Sequence, residues 1–186
     1  MPLLKHLFSI ITISKALETE LIRISKQITL AKGEQIITIG ERCNSIYFIK
    51  CGLMRGFYFD EEKEITNWFA QENEFATCFY SFIANKPSLE NIQAIENCEL
   101  IEISNSSLQN LYSVFPETER IGRILTENYY IKLEERILNL QFKTAKERYE
   151  KFSITKSNLL QRASLGQIAS YLGITQETLS RIRAEM

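Results

Sequence analysis

The sequence of 186 residues has a single histidine, few prolines and no paired cysteine motif. Because His6 is the only histidine, a metal site built from several imidazoles or a Ser-His-Asp triad deep in the fold is not expected. The four cysteines, Cys43, Cys51, Cys78 and Cys98, are separated by 8, 27 and 20 residues and form no CxxC pair. These absences argue against zinc ribbons, clustered iron–sulfur motifs, triad hydrolases and metalloenzymes, so we expect no metal site and no catalytic residue.

Long apolar runs are also missing, and none approaches the roughly 18–20 residues that a membrane helix needs. The N-terminus shows no small-residue cleavage site after an apolar stretch, as a secretory signal would. We therefore expect a cytoplasmic protein that does not use a membrane as a partner. The cysteines are expected to be buried free thiols rather than disulfides, with a thiol-based redox switch as a second interpretation.

The composition, 45% hydrophobic and 24% charged, is typical of a folded chain with one large domain or two small ones. The net charge of −1 hides an asymmetry along the chain. Residues 1–116 carry 10 Lys and Arg against 14 Asp and Glu, whereas residues 117–186 carry 12 against 9. An acidic first part and a mildly basic second part fit a sensor domain attached to a nucleic-acid reader, although chance variation explains the counts equally well.

Short segments rich in β-branched and aromatic residues recur in the first part of the chain, bounded by turn residues such as Gly33, Gly40 and Gly52. The segments are 28–30, 35–39, 45–49, 54–59, 65–69, 92–95 and 99–103. Regular short strands with glycine turns predict an antiparallel sandwich, barrel or jelly roll. An aromatic stretch at 75–85 interrupts the strands and is expected to be a short helix or a packed loop.

Helical periodicity replaces the strand pattern after position 116. The stretch from 117 to about 142 contains no proline and only one glycine, Gly122, which predicts a helix of roughly 25 residues, about 37 Å long. Its apolar residues lie on more than one side, so the helix needs two partners. We expect these to be its own β domain and a second copy of the chain, with a core helix in a monomer as the alternative.

Residues 164–183 have the pattern of two short helices with a tight joint. Ser164 and Gln167 form a capping box, Gly173 ends the first helix, and Thr175 caps the second. Apolar residues occupy every position expected to be buried: Leu165, Ile168, Ala169, Leu172, Ile174, Leu179 and Ile182. This spacing predicts a helix-turn-helix, while a helical hairpin with no ligand is the structural alternative.

The solvent side of the second helix carries side chains that suit base edges. The expected base contacts are Gln176, Glu177, Ser180 and Arg181. Arginine donates twice to guanine, glutamate accepts from cytosine, and glutamine pairs with adenine. The expected phosphate contacts are Ser164, Thr175, Thr178 and Arg183. A simple surface ion pair between Glu177 and Arg181 is the alternative for these two residues.

With its β segments, long helix and residues 177–181 (Glu-Thr-Leu-Ser-Arg), the chain resembles the CRP/FNR family of bacterial transcription regulators, and residues 177–181 are closest to the FNR branch. The resemblance implies an α+β protein: an N-terminal antiparallel double-stranded β-helix (jelly roll), a long dimerisation helix and a C-terminal winged helix-turn-helix. We predict a sensor domain over 1–116, a dimerisation helix over 117–142 and a DNA-binding domain over 143–186. The implied partners are double-stranded DNA, a second copy and RNA polymerase. Because few residues follow Arg183, the wing is expected to be short or missing.

The ligand site departs from the cyclic-AMP binders of that family. Aligned on Glu74 and Phe75, the Gly-Glu pair of their phosphate cassette falls on Thr77 and Cys78, and the Arg-Ser pair falls on Ser88 and Leu89. A buried phosphate without an arginine is poorly paired, so cyclic AMP is not expected, no cofactor is predicted and the effector stays unknown. The candidate effector pocket comprises Phe75, Thr77, Cys78, Phe79, Tyr80 and Ser88, with plain core as the alternative.

The leading hypothesis is therefore a homodimeric regulator that reads a pseudo-palindromic operator and has no catalytic activity. The first alternative is a small-molecule-binding β-roll whose helical tail serves only dimerisation. The second is a cupin-like metalloenzyme, against which the single histidine already argues.

Overall fold

The computed structural model describes residues 1–185. The strands of this part of the chain are β1 (Lys26–Leu30), β2 (Gln35–Ile37), β3 (Ser45–Cys51), β4 (Met54–Asp60), β5 (Lys63–Ala70), β6 (Phe75–Ala76), β7 (Asn91–Ala94) and β8 (Cys98–Ser104). The helices are α1 (Pro2–Ile10), α2 (Lys15–Ile24), α3 (Phe79–Ala84), α4 (Asn105–Val114), α5 (Pro116–Phe142), α6 (Ala145–Thr155), α7 (Leu159–Arg162), α8 (Leu165–Tyr171) and α9 (Gln176–Ala184).

The strands form two four-stranded antiparallel sheets, in the orders β1-β8-β3-β6 and β2-β7-β4-β5. Each sheet takes strands from both halves of the β region, so the chain winds as a double-stranded roll. The predicted α+β class with an antiparallel jelly roll is confirmed. All seven predicted strand segments are present, and the two-residue strand β6 was not predicted.

Successive side chains of a strand point to opposite faces of the sheet, so the apolar residues are divided between two cores. On β3, Tyr47 and Ile49 face the interior of the roll, whereas Phe48 between them faces outward. The outward face of the β1-β8-β3-β6 sheet is covered by α1, α2, α4 and the start of α5. Leu3, Leu7 and Leu17 of the first two helices are buried there. Helix α1 was not predicted, although its leucines recur at helical spacing.

A third apolar cluster joins the other sheet to the C-terminal helices. Leu53, Phe69 and Ile95 of the roll pack with buried residues of α6 to α9. The helical members are Tyr149, Phe152, Leu159, Ile168, Ala169, Leu172, Leu179 and Ile182. The C-terminal helices therefore share one core with the outer face of the β2-β7-β4-β5 sheet and do not pack only on one another.

The free edge of β5 is satisfied by the same helices. Ser170 Oγ accepts a hydrogen bond from the Thr66 backbone N–H at 2.8 Å and donates to the Glu64 carbonyl oxygen at 2.9 Å. Arg136 of α5 donates to the carbonyl oxygens of Thr66, at 3.3 Å, and Tyr171, at 2.8 Å. Because an uncovered strand edge offers unpaired backbone groups, these bonds fix α5 and α8 on β5.

An ion-pair network adds a second attachment point. Arg162 at the end of α7 donates to Glu72 at 2.8 and 3.0 Å and to Glu96 at 2.6 and 3.3 Å. Hydrogen bonds to Glu96 and then Glu72 raise the pKa of Arg162 above its usual value. Both carboxylates belong to turns of the roll, so the network connects the C-terminal helices to it across 66 and 90 residues of chain.

The division at 116 and 142 stays a prediction, although α5 itself spans Pro116–Phe142. No strand follows β8 in the part of the chain that the structure describes, so the wing implied by the family resemblance is absent from residues 1–185. Met186, the last residue of the predicted DNA-binding domain, lies outside the described residues. Among residues 1–185, no helix combines the length and apolar character needed to cross a bilayer.

Replacing Arg162 by Gln should weaken the attachment of the C-terminal helices to the roll. Because the arginine is largely covered and makes charge-assisted bonds to two carboxylates that are themselves about one-third exposed, we expect a loss of about 1–2 kcal/mol in unfolding free energy. Chemical denaturation measures this loss. The matched control is Arg23→Gln, which breaks an exposed i,i+3 pair with Glu20 and should leave the midpoint unchanged. Equal effects of the two substitutions would contradict a structural role for Arg162.

Candidate nucleic-acid interface

Local backbone chemistry builds the joint between α8 and α9. Ser164 and Gln167 form the predicted capping box at the start of α8. Gly173 adopts φ +66°, and the Ile174 N–H donates to the Ala169 carbonyl oxygen at 3.0 Å, which closes the first helix. Thr175 then caps α9 by accepting from the Thr178 N–H. The predicted helix-turn-helix is present as two short helices.

One side of α9 anchors the helix in the third apolar cluster. Leu179 and Ile182 are buried, as are Ile168 and Ala169 of α8 beneath them. Ala169 is small at the place where the two helices meet, so α8 and α9 can approach closely. The anchoring leaves the opposite side of α9 in solvent.

The four predicted base-contacting residues all lie on that solvent side. Gln176, Glu177, Ser180 and Arg181 are exposed, and none is covered by the roll. Glu177 and Arg181 do not come within ion-pair distance in the described chain, so the surface-pair alternative is not formed. The guanidinium of Arg181 is therefore free to meet an external acceptor.

Glu177 is held in its charged form. A hydrogen bond from its own backbone N–H lowers the pKa of Glu177, and the Thr175 side chain and the nearby charge of Arg181 act in the same direction. An ionised carboxylate accepts hydrogen bonds and donates none. At neutral pH, Glu177 can therefore read only a donor, such as the amino group of cytosine.

The predicted phosphate contacts lie at the two helix N-termini and further along α9. Ser164, Thr175 and Arg183 are exposed, whereas Thr178 is half-buried and its hydroxyl lies 3.1 Å from that of Thr175. The Ser164 hydroxyl accepts from the Gln167 N–H, which leaves its own proton free to donate to a phosphate oxygen.

Gly166 belongs to this surface and was not predicted. A Cβ at position 166 would lie 3.3 Å from Oε1 of Gln176, so the glycine gives the Gln176 side chain room to lie against the first turn of α8. The pattern of apolar positions could not reveal this contact, because neither Gly166 nor Gln176 is one of those positions.

The six residues of the candidate effector pocket lie in different surroundings. Phe75 faces outward and contacts Phe48 at 5.3 Å between ring centroids, on the opposite side of the sheet from the roll interior. Tyr80 is exposed, and the Thr77 hydroxyl donates to the Ser45 carbonyl oxygen at 3.0 Å. Of these three residues, Thr77 lies beside Cys43 of the roll interior, whereas Phe75 and Tyr80 lie outside it, and the effector pocket stays a prediction.

The remaining three predicted residues lie close to α5. Phe79 stacks on Tyr129 with ring centroids 4.1 Å apart. The Ser88 hydroxyl lies 3.1 Å from Cys78 Sγ and donates to the Glu90 carbonyl oxygen at 2.6 Å. These contacts join the loop before β7 to the long helix.

A largely buried carboxyl group beside them was missed by the sequence analysis. Glu90 accepts from Trp68 Nε1 at 3.1 Å and from Asn67 Nδ2 at 3.2 Å. Burial raises the pKa of Glu90 above its usual value in spite of these bonds. Burial, and then the charge on Glu90, also raises the pKa of Tyr129, so the carboxyl group is coupled to α5.

Among residues 1–185, Arg55 is the one buried cation. The apolar cluster inside the roll consists of aliphatic, aromatic and cysteine side chains. The one arginine of this region, Arg55, is hydrogen-bonded to Gln93 and paired with Glu64, and its guanidinium lies 4.1 Å from the centre of the Phe57 ring. It is therefore already occupied by partners.

The cysteines lie apart from any metal-binding arrangement in the described chain. No group of three potential metal ligands occurs within residues 1–185. All four cysteines are free thiols; Cys43, Cys78 and Cys98 are buried and Cys51 is exposed. Burial raises the pKa of Cys98 to about 11, which keeps it protonated and unreactive at neutral pH. The redox-switch interpretation stays a hypothesis.

Comparison with known proteins agrees with this architecture. Residues 27–114 match the family model of the cyclic nucleotide-binding domain. Electron transport regulator A of Shewanella oneidensis is 27% identical over 86% of this chain and 68% of its own length. The fumarate and nitrate reduction regulatory protein of Vibrio cholerae is 24% identical with the same coverage. The structure of FixK2 from Bradyrhizobium japonicum superposes with a TM-score of 0.76 at 21% identity, over 87% of this chain and 84% of that one.

Replacing Glu90 by Gln should stabilise the protein at neutral pH. Since burial raises the pKa of Glu90 in the folded state, the unfolded chain loses this proton at lower pH, and stability falls as the pH rises from the ordinary carboxyl pKa through the folded one. We expect the Tm of Glu90→Gln to exceed that of the wild type at pH 7 and the difference to vanish near pH 4.

The control is Glu62→Gln, an exposed carboxylate in the turn between β4 and β5, which should show no such pH-dependent difference. A Glu90→Gln protein that melts below the wild type at pH 7 would show that the ionised carboxylate stabilises the fold instead.

Proposed function

We propose that this chain is a transcription regulator of the CRP/FNR type, which binds a pseudo-palindromic operator as a homodimer, with one α9 helix in each of two successive major grooves. The observation that carries the proposal is the exposure of Gln176, Glu177, Ser180 and Arg181 along one side of a helix whose other side is anchored in a core.

Each side chain has a defined role in this proposal. Arg181 donates to O6 and N7 of guanine, Glu177 accepts from cytosine N4, and Gln176 pairs with adenine. Ser164, Thr175, Thr178 and Arg183 contact phosphates and set the position of α9 without reading sequence. The two N-caps support this assignment, since backbone N–H groups and hydroxyls converge at the starts of α8 and α9.

The dimer contact is proposed on the solvent side of α5. Tyr130 and Ile137 lie seven positions apart, as do Ile131 and Leu138, and these side chains are 62%, 46%, 53% and 48% exposed in the single chain. A seven-residue apolar repeat on an exposed face of a helix is the pattern of a parallel helix pair. Pairing α5 with its copy covers the stripe and places both α9 helices on one side of the dimer.

We propose that the effector of this regulator, which is not identified, is not cyclic AMP. The apolar interior of the roll and the occupied Arg55 support this, because a buried phosphate needs a charged partner. The proposed regulator is cytoplasmic, has no catalytic activity and acts through RNA polymerase. These statements extend to this chain what its resemblance to the CRP/FNR family implies.

The alternative function is a small-molecule-binding roll whose helical tail only dimerises. Selection of bound sequences from random duplex DNA, with and without cell extract, separates the two. The regulator enriches one inverted repeat with half-sites about one helical turn apart, roughly 34 Å. If the chain is dimeric but enriches no sequence in either condition, it is instead a small-molecule-binding roll whose helical tail only dimerises.

Replacing Arg181 by Ala should lower affinity for the selected operator by about 1–3 kcal/mol per half-site and relax the preference for guanine at one position, because a bidentate base contact is lost. Gel-shift titration measures the change. The matched control, Arg183→Ala, removes an arginine of the same helix and should weaken binding to all sequences alike. Unchanged operator affinity for Arg181→Ala would remove this residue from the readout.

Replacing Ile137 by Glu should disrupt the dimer, because the substitution buries a carboxylate at the centre of the proposed α5 stripe. We expect the dimer dissociation constant, measured by sedimentation, to rise at least about tenfold. The control is Ile154→Glu, at an isoleucine of α6 that is 80% exposed and outside the stripe, which should leave the dimer intact. If both variants stay dimeric, α5 is not the contact.

A further inference from the structure

A cavity of about 320 Å³ lies between the roll, α5 and the C-terminal helices. It is separate from the roll interior and from the DNA-facing side of α9. Five basic residues line it: Lys132, Arg136, Arg148, Lys151 and Lys156. Its only acidic lining residues are Glu74 and Glu135. Its size is within the range of small-molecule sites in proteins.

The two acids do not neutralise the five bases. Glu74 is paired with Lys132 at 2.9 Å, and Glu135 is paired with Lys151 at 3.4 Å. Within residues 1–185, no carboxylate lies within 4.0 Å of Arg136, Arg148 or Lys156. Three cationic side chains therefore border one cavity without a counter-charge.

Arg136 is the most covered of the three. Burial lowers the pKa of Arg136 below its usual value, and its bonds to Thr66 and Tyr171 reach only neutral carbonyl oxygens. Its guanidinium also lies 4.2 Å from the centre of the Tyr171 ring. A desolvated guanidinium with no anionic partner is costly, and a bound anion would relieve that cost.

Arg148 supplies an unused donor. Its Nη1 donates to the Lys143 carbonyl oxygen at 2.6 Å, while its Nε is buried and has no hydrogen-bond partner. Buried donors in folded proteins nearly always have a partner. The third cation, Lys156, has its Nζ 5.4 Å from the centre of the Tyr171 ring.

The rest of the lining is apolar and aromatic. Phe69 and Phe152 lie against Tyr171, with ring centroids 5.3 and 5.7 Å apart, and Leu53 and Leu159 complete this part of the wall. Flat aromatic side chains next to cations favour a ligand that has an apolar ring as well as a charge.

We propose that this cavity is a binding site for a small organic anion, in which a carboxylate or phosphate group meets Arg136, Arg148 and Lys156 and a flat apolar ring packs on the aromatic wall. Its walls come from the roll, from α5 and from the helices that carry α9, so the bound anion strengthens the contact between them. On the basis of the proposed function, occupancy of the site fixes the position of α9 and changes operator affinity.

Calorimetric titration of the full chain with 1-naphthoate and 1-naphthyl phosphate tests the site and distinguishes a carboxylate from a phosphate ligand. The uncharged 1-naphthalenemethanol supplies the same ring without the anion. We expect one anion to bind per chain, at least tenfold more tightly than the alcohol, with affinity that falls as salt is added. Failure of both anions to bind, or equal binding of the alcohol, overturns the proposal.

Substitutions of single cavity-lining residues show where the anion binds. Arg148→Gln and Lys156→Gln should each weaken the anion at least tenfold, whereas the matched control Lys146→Gln, an exposed lysine of α6 outside the cavity, should not. Thermal melts identify any variant that fails to fold, and Lys156→Gln, which has no hydrogen bond to lose, then provides the test. Anion binding that is unaffected by Lys156→Gln in a folded protein places the probe elsewhere and overturns the assignment.

Operator binding without the probe is measured separately. If the wild type selects no DNA sequence but still binds the anion, the proposed function fails and the site stands. If operator binding is intact and the anion does not bind, the site alone fails.

Discussion

The apolar contact between the outer face of the β2-β7-β4-β5 sheet and the C-terminal helices determines where α9 points. Phe69 and Leu53 belong to the roll, yet they lie in the same core as Leu179 of α9. A shared core resists sliding, because close-packed side chains have few alternative arrangements. The bonds of Ser170 to the β5 edge and the Arg162 network then add direction to a contact that is otherwise non-directional.

This constraint connects the roll to α9. Helix α3 reaches α5 through the stacked rings of Phe79 and Tyr129, and α5 reaches α8 through the bond of Arg136 to Tyr171. A change in the roll or in the cavity beside Arg136 therefore acts on packed, hydrogen-bonded neighbours of α9. Pairing of two α5 helices would convert such a change into a different separation of two α9 helices.

Much of this structure follows from local sequence patterns, and the exceptions have physical reasons. Strands, caps and the α8–α9 joint were predictable, because turn glycines and spacing within about 20 residues specify them. Two-residue β6 gives no periodic signal. The effector residues were grouped by position along the chain, whereas strand alternation turns Phe75 away from the roll interior. The Arg162 network joins residues 66 and 90 positions apart, which no local pattern indicates.

The distance between the two α9 helices in the dimer is the most direct measure of the central claim. A spin label at Ala184→Cys, an exposed position of α9 outside the predicted DNA contacts, in a Cys51→Ser background that removes the exposed native thiol, gives one inter-protomer distance by pulsed electron paramagnetic resonance. For a dimer bound to a selected duplex we expect a single narrow distribution centred near one helical turn of DNA, about 34 Å. An absence of dipolar coupling, or a distance that fits no whole number of turns, would contradict a pair of recognition helices held by α5 and by the shared core.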